Sequence, residues 1–205
     1  MALSNYGELK AAAGTYLFHQ RFAPQYDTAQ LFFEAVANRR LRVREMESSA
    51  LLTTVDGEVA LPDDYLAWRT VLPTDERNPQ YELEYVHPAY LPPTSLNRRY
   101  PKLFTIEGNL FKVRPINDVP SDYEMHYYGK VPSLVGNDTN SNWLLLAYPD
   151  FALEGLLVEL FVLGRSLEMA QLHKQRRDEL LEEIKQLSAL TTGATSQSVR
   201  TGEYY

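Results

Sequence analysis

The chain has 205 residues, no cysteine and a formal net charge of −7. That length suffices for one sizeable core, or a core with an insertion. Without cysteine there are no disulfides, thiolate metal sites or cysteine nucleophile, as suits a protein made in a reducing cytoplasm. The acidic balance argues against wrapping duplex nucleic acid non-specifically, which needs a basic face.

Taken in order, Ser4 can cap a first helix whose apolar positions, Tyr6, Leu9, Ala13, Tyr16 and Leu17, recur every three or four residues. Pro24 ends it, because proline disfavours helix in the residue before it. Asp27 or Thr28 then caps a second helix, with Leu31, Phe32, Ala35, Val36 and Leu41 expected on its inner face. The outer face gathers Arg39, Arg40, Arg42 and Arg44. The first residues carry no basic and apolar pattern of a signal peptide.

From residue 50 the period changes. Two apolar runs flank Asp56-Gly57, a dipeptide that tolerates the positive φ of a tight hairpin. Residues 66–72 form a β-like run stopped by Pro73. Residues 80–86 alternate, with Tyr81, Leu83 and Tyr85 on one face and Glu82 and Glu84 on the other. His87-Pro88-Ala89-Tyr90 suggests one helical turn. A further hairpin turns at Glu107-Gly108-Asn109, and residues 122–130 make a tyrosine-rich strand with Tyr123, Met125 and Tyr127 on one side. The connections are too short for crossover helices, so antiparallel pairing is expected.

The stretch 142–190 organises the rest. Pro149 suits a first helical turn, and Asp150 complements the helix dipole. Residues 151–163 are apolar nearly all round, interrupted only by Glu154 and Glu159, so that helix must be covered on most sides. Its charges make it a buried helix and not a membrane span. After Gly164 and Ser166 a second segment carries an apolar stripe at Met169, Leu172, Leu180, Ile184 and Leu187 beside Arg176, Arg177, Glu182 and Glu183. Residues 191–205 are too polar to bury themselves and are expected to be disordered or extended in isolation.

The expected fold is α+β: an antiparallel four-helix bundle made by N- and C-terminal helical hairpins, a β-rich insertion of about seven strands, and a flexible C-terminal tail. The expected division is 1–48 and 143–190 for the bundle, 49–142 for the insertion and 191–205 for the tail.

Catalytic signatures are absent. His19, His87, His126 and His173 show no metal-ligand spacing, and there is no HExxH, GxSxG, phosphate-binding or dinucleotide-binding glycine motif. Asp63-Asp64 reads as a turn rather than a cation site. Glu154 and Glu159 read as members of ion pairs or of a contact with a neighbouring subunit, rather than as catalytic acids, since no companion base or nucleophile is visible. No catalytic residue, cofactor or metal is expected. The four arginines read as a solvated face before a DNA contact, because consecutive helical residues point around the axis. Fourteen tyrosines suit either a core or a protein–protein contact.

Several short strings in fixed order carry a resemblance: LSNYGELK at 3–10, NRRLRVREME at 38–47, VALPDDYL at 59–66, YGKVP at 128–132, NWLL at 142–145 and YPD at 148–150. Together they resemble the head-to-tail adaptor (connector) proteins of tailed bacteriophages. The resemblance implies a structural, non-enzymatic virion protein of the neck, made in the host cytoplasm and free of membrane contact. It implies a twelve-fold ring of this chain beneath the portal protein, touching tail or neck proteins and passing genomic DNA through its lumen without sequence-specific binding. A C-terminal tail that docks into the portal is also implied, here with Thr191, Val199, Arg200, Tyr204 and Tyr205. A head-to-tail ring needs two different complementary surfaces on each copy. Arg39, Arg40, Arg42 and Arg44 on one side, and Arg176, Arg177, Glu182 and Glu183 on the other, are the candidate contacts. Alternatives are another neck or tail component such as a stopper or tail-tube protein, a virion cell-wall hydrolase using Glu154 or Asp63, and a DNA-binding regulator using the arginine helix.

Overall fold

A computed structural model of the chain describes residues 3–17, 25–74, 81–92, 101–116 and 121–196, the last six by backbone alone. The chain divides into two compact units, Met1–Met46 with Val131–Tyr205, and Glu47–Lys130.

The first unit is helical. It holds α1 (Tyr6–Leu17), α2 (Tyr26–Arg40), a 3₁₀ turn (Arg44–Met46), α3 (Trp143–Ala147), α4 (Pro149–Leu163) and α5 (Leu167–Ser196). The expected four-helix bundle is not formed. The described residues form five helices, the N- and C-terminal sets are separated in the chain by the β-rich region, and α1, α2, α3 and α5 each pack on α4. The reason lies in α4 itself. Phe151, Ala152, Leu156, Leu157, Val158 and Leu160 are buried around its whole circumference, so it acts as a hub covered from several directions rather than as one stave among four.

Local chemistry explains where these helices begin. Asn5, not Ser4, is the capping acceptor of α1: its Oδ1 accepts from Glu8 N at 2.9 Å, while Ser4 N and Oγ both donate to the Glu8 carboxylate. The first free N–H groups of α1 are taken by the incoming loop, Tyr6 N by Asn140 O and Gly7 N by Asp138 O. Asn142 caps α3 through Leu145 N at 2.9 Å. α2 starts at Tyr26 with no side-chain cap at Gln25. α4 closes through Arg165, which takes the left-handed conformation (φ 60°), and Ser166 N donates back to Phe161 O.

Leu41, just past the end of α2, is buried as expected, but the helix itself presents the opposite face from the one its other apolar residues suggest. Its buried positions are Tyr26, Ala29, Gln30, Phe33, Glu34 and Ala37, whereas Leu31 and Phe32 are 50% and 51% exposed. The polar spine Gln30, Glu34, Asn38, spaced by four, wins the interior because it supplies acceptors to backbone that has no other partner. Glu34 Oε1 accepts from Leu134 N and Asn38 Oδ1 from Val131 N, both at 2.9 Å. α5 is similar. Ala170, His173, Arg177, Leu181 and Ile184 are buried, while Met169, Leu172, Leu187 and Leu190 are exposed. α5 also continues to Ser196, beyond the expected limit at Leu190 and into the stretch read as tail.

The second unit is a pair of packed sheets. β1 (Glu47–Thr54), β3 (Tyr65–Pro73) and β7 (Ser121–Gly129) form one in the order β1-β7-β3. β2 (Glu58–Ala60), β4 (Glu84–Tyr85), β5 (Leu103–Glu107) and β6 (Leu110–Arg114) form the other in the order β2-β6-β5-β4. Asp56 and Gly57 take the expected positive φ values of 54° and 74°. The strands they join nevertheless part into different sheets, held at the turn by a single bridge between Val55 and Glu58. β4 pairs with β5 in parallel, against the antiparallel expectation, because the long connection between them includes a 3₁₀ turn at Pro88–Tyr90. The core comes from both sheets: Leu52, Val71, Tyr123, Met125 and Tyr127 meet Leu61, Leu83, Phe104, Phe111 and Val113. Burial of its ring pushes the Tyr123 phenol up to about 12.

Candidate functional site

The helical unit concentrates the charges singled out by the sequence, and it joins many of them to one another. Glu154 on α4 is buried, with His173 Nδ1 2.6 Å from its Oε2 and Arg176 Nε 3.4 Å from its Oε1. The His173 ring stacks on Phe161 with centroids 5.1 Å apart and takes an edge contact from Tyr16. His173 Nε2 is buried with no hydrogen-bond partner among the described residues. A carboxylate on an apolar helix must find a partner, and this one does so inside the chain.

One turn further along α4, Glu159 faces Arg177 at 4.0 Å. Burial raises the Glu159 carboxyl above the usual range, and the nearby Arg177 and Arg39 only partly offset it. Arg177 itself is buried and holds Asp178 Oδ1 at 2.9 Å. Arg40 reaches the same Oδ1 at 2.7 Å from α2. Burial works to raise the Asp178 carboxyl, but hydrogen bonds from Arg177 and Arg40 outweigh it and hold it below the ordinary value.

The structure thus places Arg40 and Arg177 in contacts within the chain. Arg42 donates to the carbonyls of Asn38 and Leu41, and Glu182 takes Lys185 at 2.8 Å. Arg39, Arg42, Arg44, Arg176, Glu182 and Glu183 remain exposed, although Arg176 reaches in to Glu154. Thr191 stands on the last turns of α5, and Val199, Arg200, Tyr204 and Tyr205 lie outside the described residues. In the β unit, Asp64 Oδ1 accepts from the Tyr127 hydroxyl at 2.9 Å and Asp63 O from Lys130, so the acidic pair serves a turn. His126 lies 3.8 Å from Glu124 on one strand. Among the described residues no group of three or more His, Asp or Glu is arranged to hold a metal ion, and no helix is long and apolar enough to cross a membrane.

What the sequence reading missed is apolar and outward-facing. Leu31 and Phe32 form a ridge on α2. Val158, Val162, Leu167 and Ala170 line a groove of about 530 Å³ between α4 and α5, with Lys174 and Asp178 at its edge. The Gln30–Glu34–Asn38 spacing was the available signal that α2 would turn its leucine and phenylalanine outward.

A family model described as SU10 adaptor protein matches residues 4–201. The chain belongs to the SU10 adaptor protein family, a family of phage head-to-tail adaptors. No curated protein matches it.

Proposed function

We propose that this SU10 adaptor forms a ring beneath the portal of a tailed phage, joins capsid to tail, and continues the DNA channel. The match over 4–201 carries the reading. In the neck it contacts further copies of itself, twelve in the ring, together with the portal and tail or neck proteins. The helical unit supplies the ring contacts through its exposed charges, Arg39, Arg42 and Arg44 against Glu182 and Glu183. The net charge of −7 is consistent with a lumen that DNA traverses without sequence-specific binding. The segment 191–205 docks into the portal, and portal binding drives ring closure. The chain turns over no substrate.

Sedimentation of the purified chain with and without portal tests this. The chain alone sediments as a monomer or weak oligomer and forms a ring on addition of portal. A stable ring without portal contradicts portal-driven closure, and no association with portal contradicts the neck assignment.

A further inference from the structure

The outward stripe of α5 reads the same from either end. At 3.6 residues per turn, Met169, Leu172, Arg176, Glu183, Leu187 and Leu190 fall within an arc of about 60° on that helix. The four apolar members are 39%, 61%, 55% and 70% exposed. Around the midpoint between Glu179 and Leu180 the stripe is palindromic. Met169 and Leu190 lie ten residues outside those two, Leu172 and Leu187 seven, and Arg176 and Glu183 three. Each apolar position mirrors an apolar one, and the arginine mirrors an acid.

Both charges remain open to a partner. The Glu183 side chain is exposed and joins no ion pair or hydrogen bond among the described residues. Arg176 approaches Glu154 with Nε at 3.4 Å, yet its side chain stays 68% exposed. Glu179, beside the midpoint, accepts from Gln175 at 3.1 Å.

We infer that α5 of one free chain pairs antiparallel with α5 of a second copy, about a two-fold axis through that midpoint. Leu172 then meets Leu187 of the second copy, Met169 meets Leu190, and Arg176 meets Glu183, each contact being made twice. A second copy is the occupant because the stripe is its own complement once reversed. One helical stripe about 32 Å long buries less than the about 1,600 Å² of a standard interface. The pair is therefore weak and dissociates on dilution. A two-fold contact closes on itself and builds no ring. The pair is thus a state of the free chain that does not depend on the ring reading, and it competes with the proposed ring contact for Glu183.

The test uses the full chain without portal. Sedimentation should show a dimer that falls apart on dilution. Glu183→Arg sets arginine against arginine and should raise the dissociation constant by about tenfold or more. Leu172→Cys with Leu187→Cys, both at exposed positions in a sequence that has no other cysteine, should give a closed disulfide dimer on a non-reducing gel after oxidation. Leu172→Cys alone should not, because the two copies of that residue stand about 22 Å apart along the axis and a disulfide needs Cα atoms within about 7 Å. A chain that stays monomeric at every concentration overturns the pairing. So does a dimer indifferent to Glu183→Arg, a ladder of higher multimers from the double-cysteine chain, or equal dimer yield from the single-cysteine chain.

Discussion

Gly155 on α4 faces the Phe33 ring of α2. A methyl group added there would lie 2.0 Å from both Cδ2 and Cε2 of Phe33 and 2.7 Å from its Cζ. Carbon atoms pack at about 3.5 Å or more, so the ring would have to withdraw by about 1.5 Å. Phe33 is fully buried and tilted against Phe151 at 5.4 Å, leaving little room for that movement. Gly155→Ala therefore sets two terms against each other. Alanine favours the helix by about 1 kcal/mol. Overpacking costs about 3 kcal/mol at this contact, the upper end of its usual range. The net loss is about 2 kcal/mol, or about 4–8 °C in melting temperature for a chain of this size. Urea denaturation followed by far-ultraviolet dichroism measures it. Phe33→Leu should relieve the clash, so the double variant should be more stable than the two single losses predict, by about 1 kcal/mol. A melting temperature raised by Gly155→Ala, or strictly additive variants, would refute the close α2–α4 packing.

Further outcomes follow from the buried polar groups. Glu34→Ala removes the acceptor of Leu134 N and should cost about 2 kcal/mol in urea denaturation, whereas Glu34→Gln, which keeps an oxygen there, should cost less. His173→Ala should lose about 3 kcal/mol by leaving buried Glu154 with Arg176 alone, while Glu154→Leu combined with His173→Phe should be near neutral, both read by thermal melting. For pH, a carboxyl raised by folding contributes stability that is full below its ordinary value and lost as pH rises through the folded value. Glu159→Gln should therefore gain on the parent chain as pH climbs above 4.5. Asp178 has the opposite sign: its contribution is present above 3.8 and lost as pH falls, so the deficit of Asp178→Asn should shrink in acid. Melting temperature against pH for the two variants checks both.

Much of the architecture is legible in periodicity. Residues 151–163 announce a helix that must be covered, and the burial around α4 agrees. The alternation at Tyr123, Met125 and Tyr127 marks an inward strand face, and all three are buried. The positive φ at Asp56, Gly57 and Gly108 follows from residue type. Partnership is not legible in the same way. Strands around Asp56-Gly57 read as a hairpin but join different sheets, because long-range pairing with β6 and β7 outbids the local turn. An apolar stripe on α2 reads as core, yet satisfying Leu134 and Val131 N–H groups turns Glu34 and Asn38 inward and Leu31 outward. The bundle expectation failed for a related reason: helical spacing reveals that α4 is buried, but not how many elements share the burial. Among the candidate contacts, the arginine positions were visible in the sequence, whereas the internal pairing of Arg40 and Arg177 depended on tertiary neighbours more than a hundred residues or one helix away.

Electron cryomicroscopy of purified particles, with the neck reconstructed, decides whether this chain is a structural component of the phage neck. A neck adaptor appears as a ring between portal and tail whose subunit density accepts a hub helix with the other helices packed on it, and a two-sheet unit. A neck built entirely from other chains, with this protein absent from the particle or lying outside the neck, would contradict it.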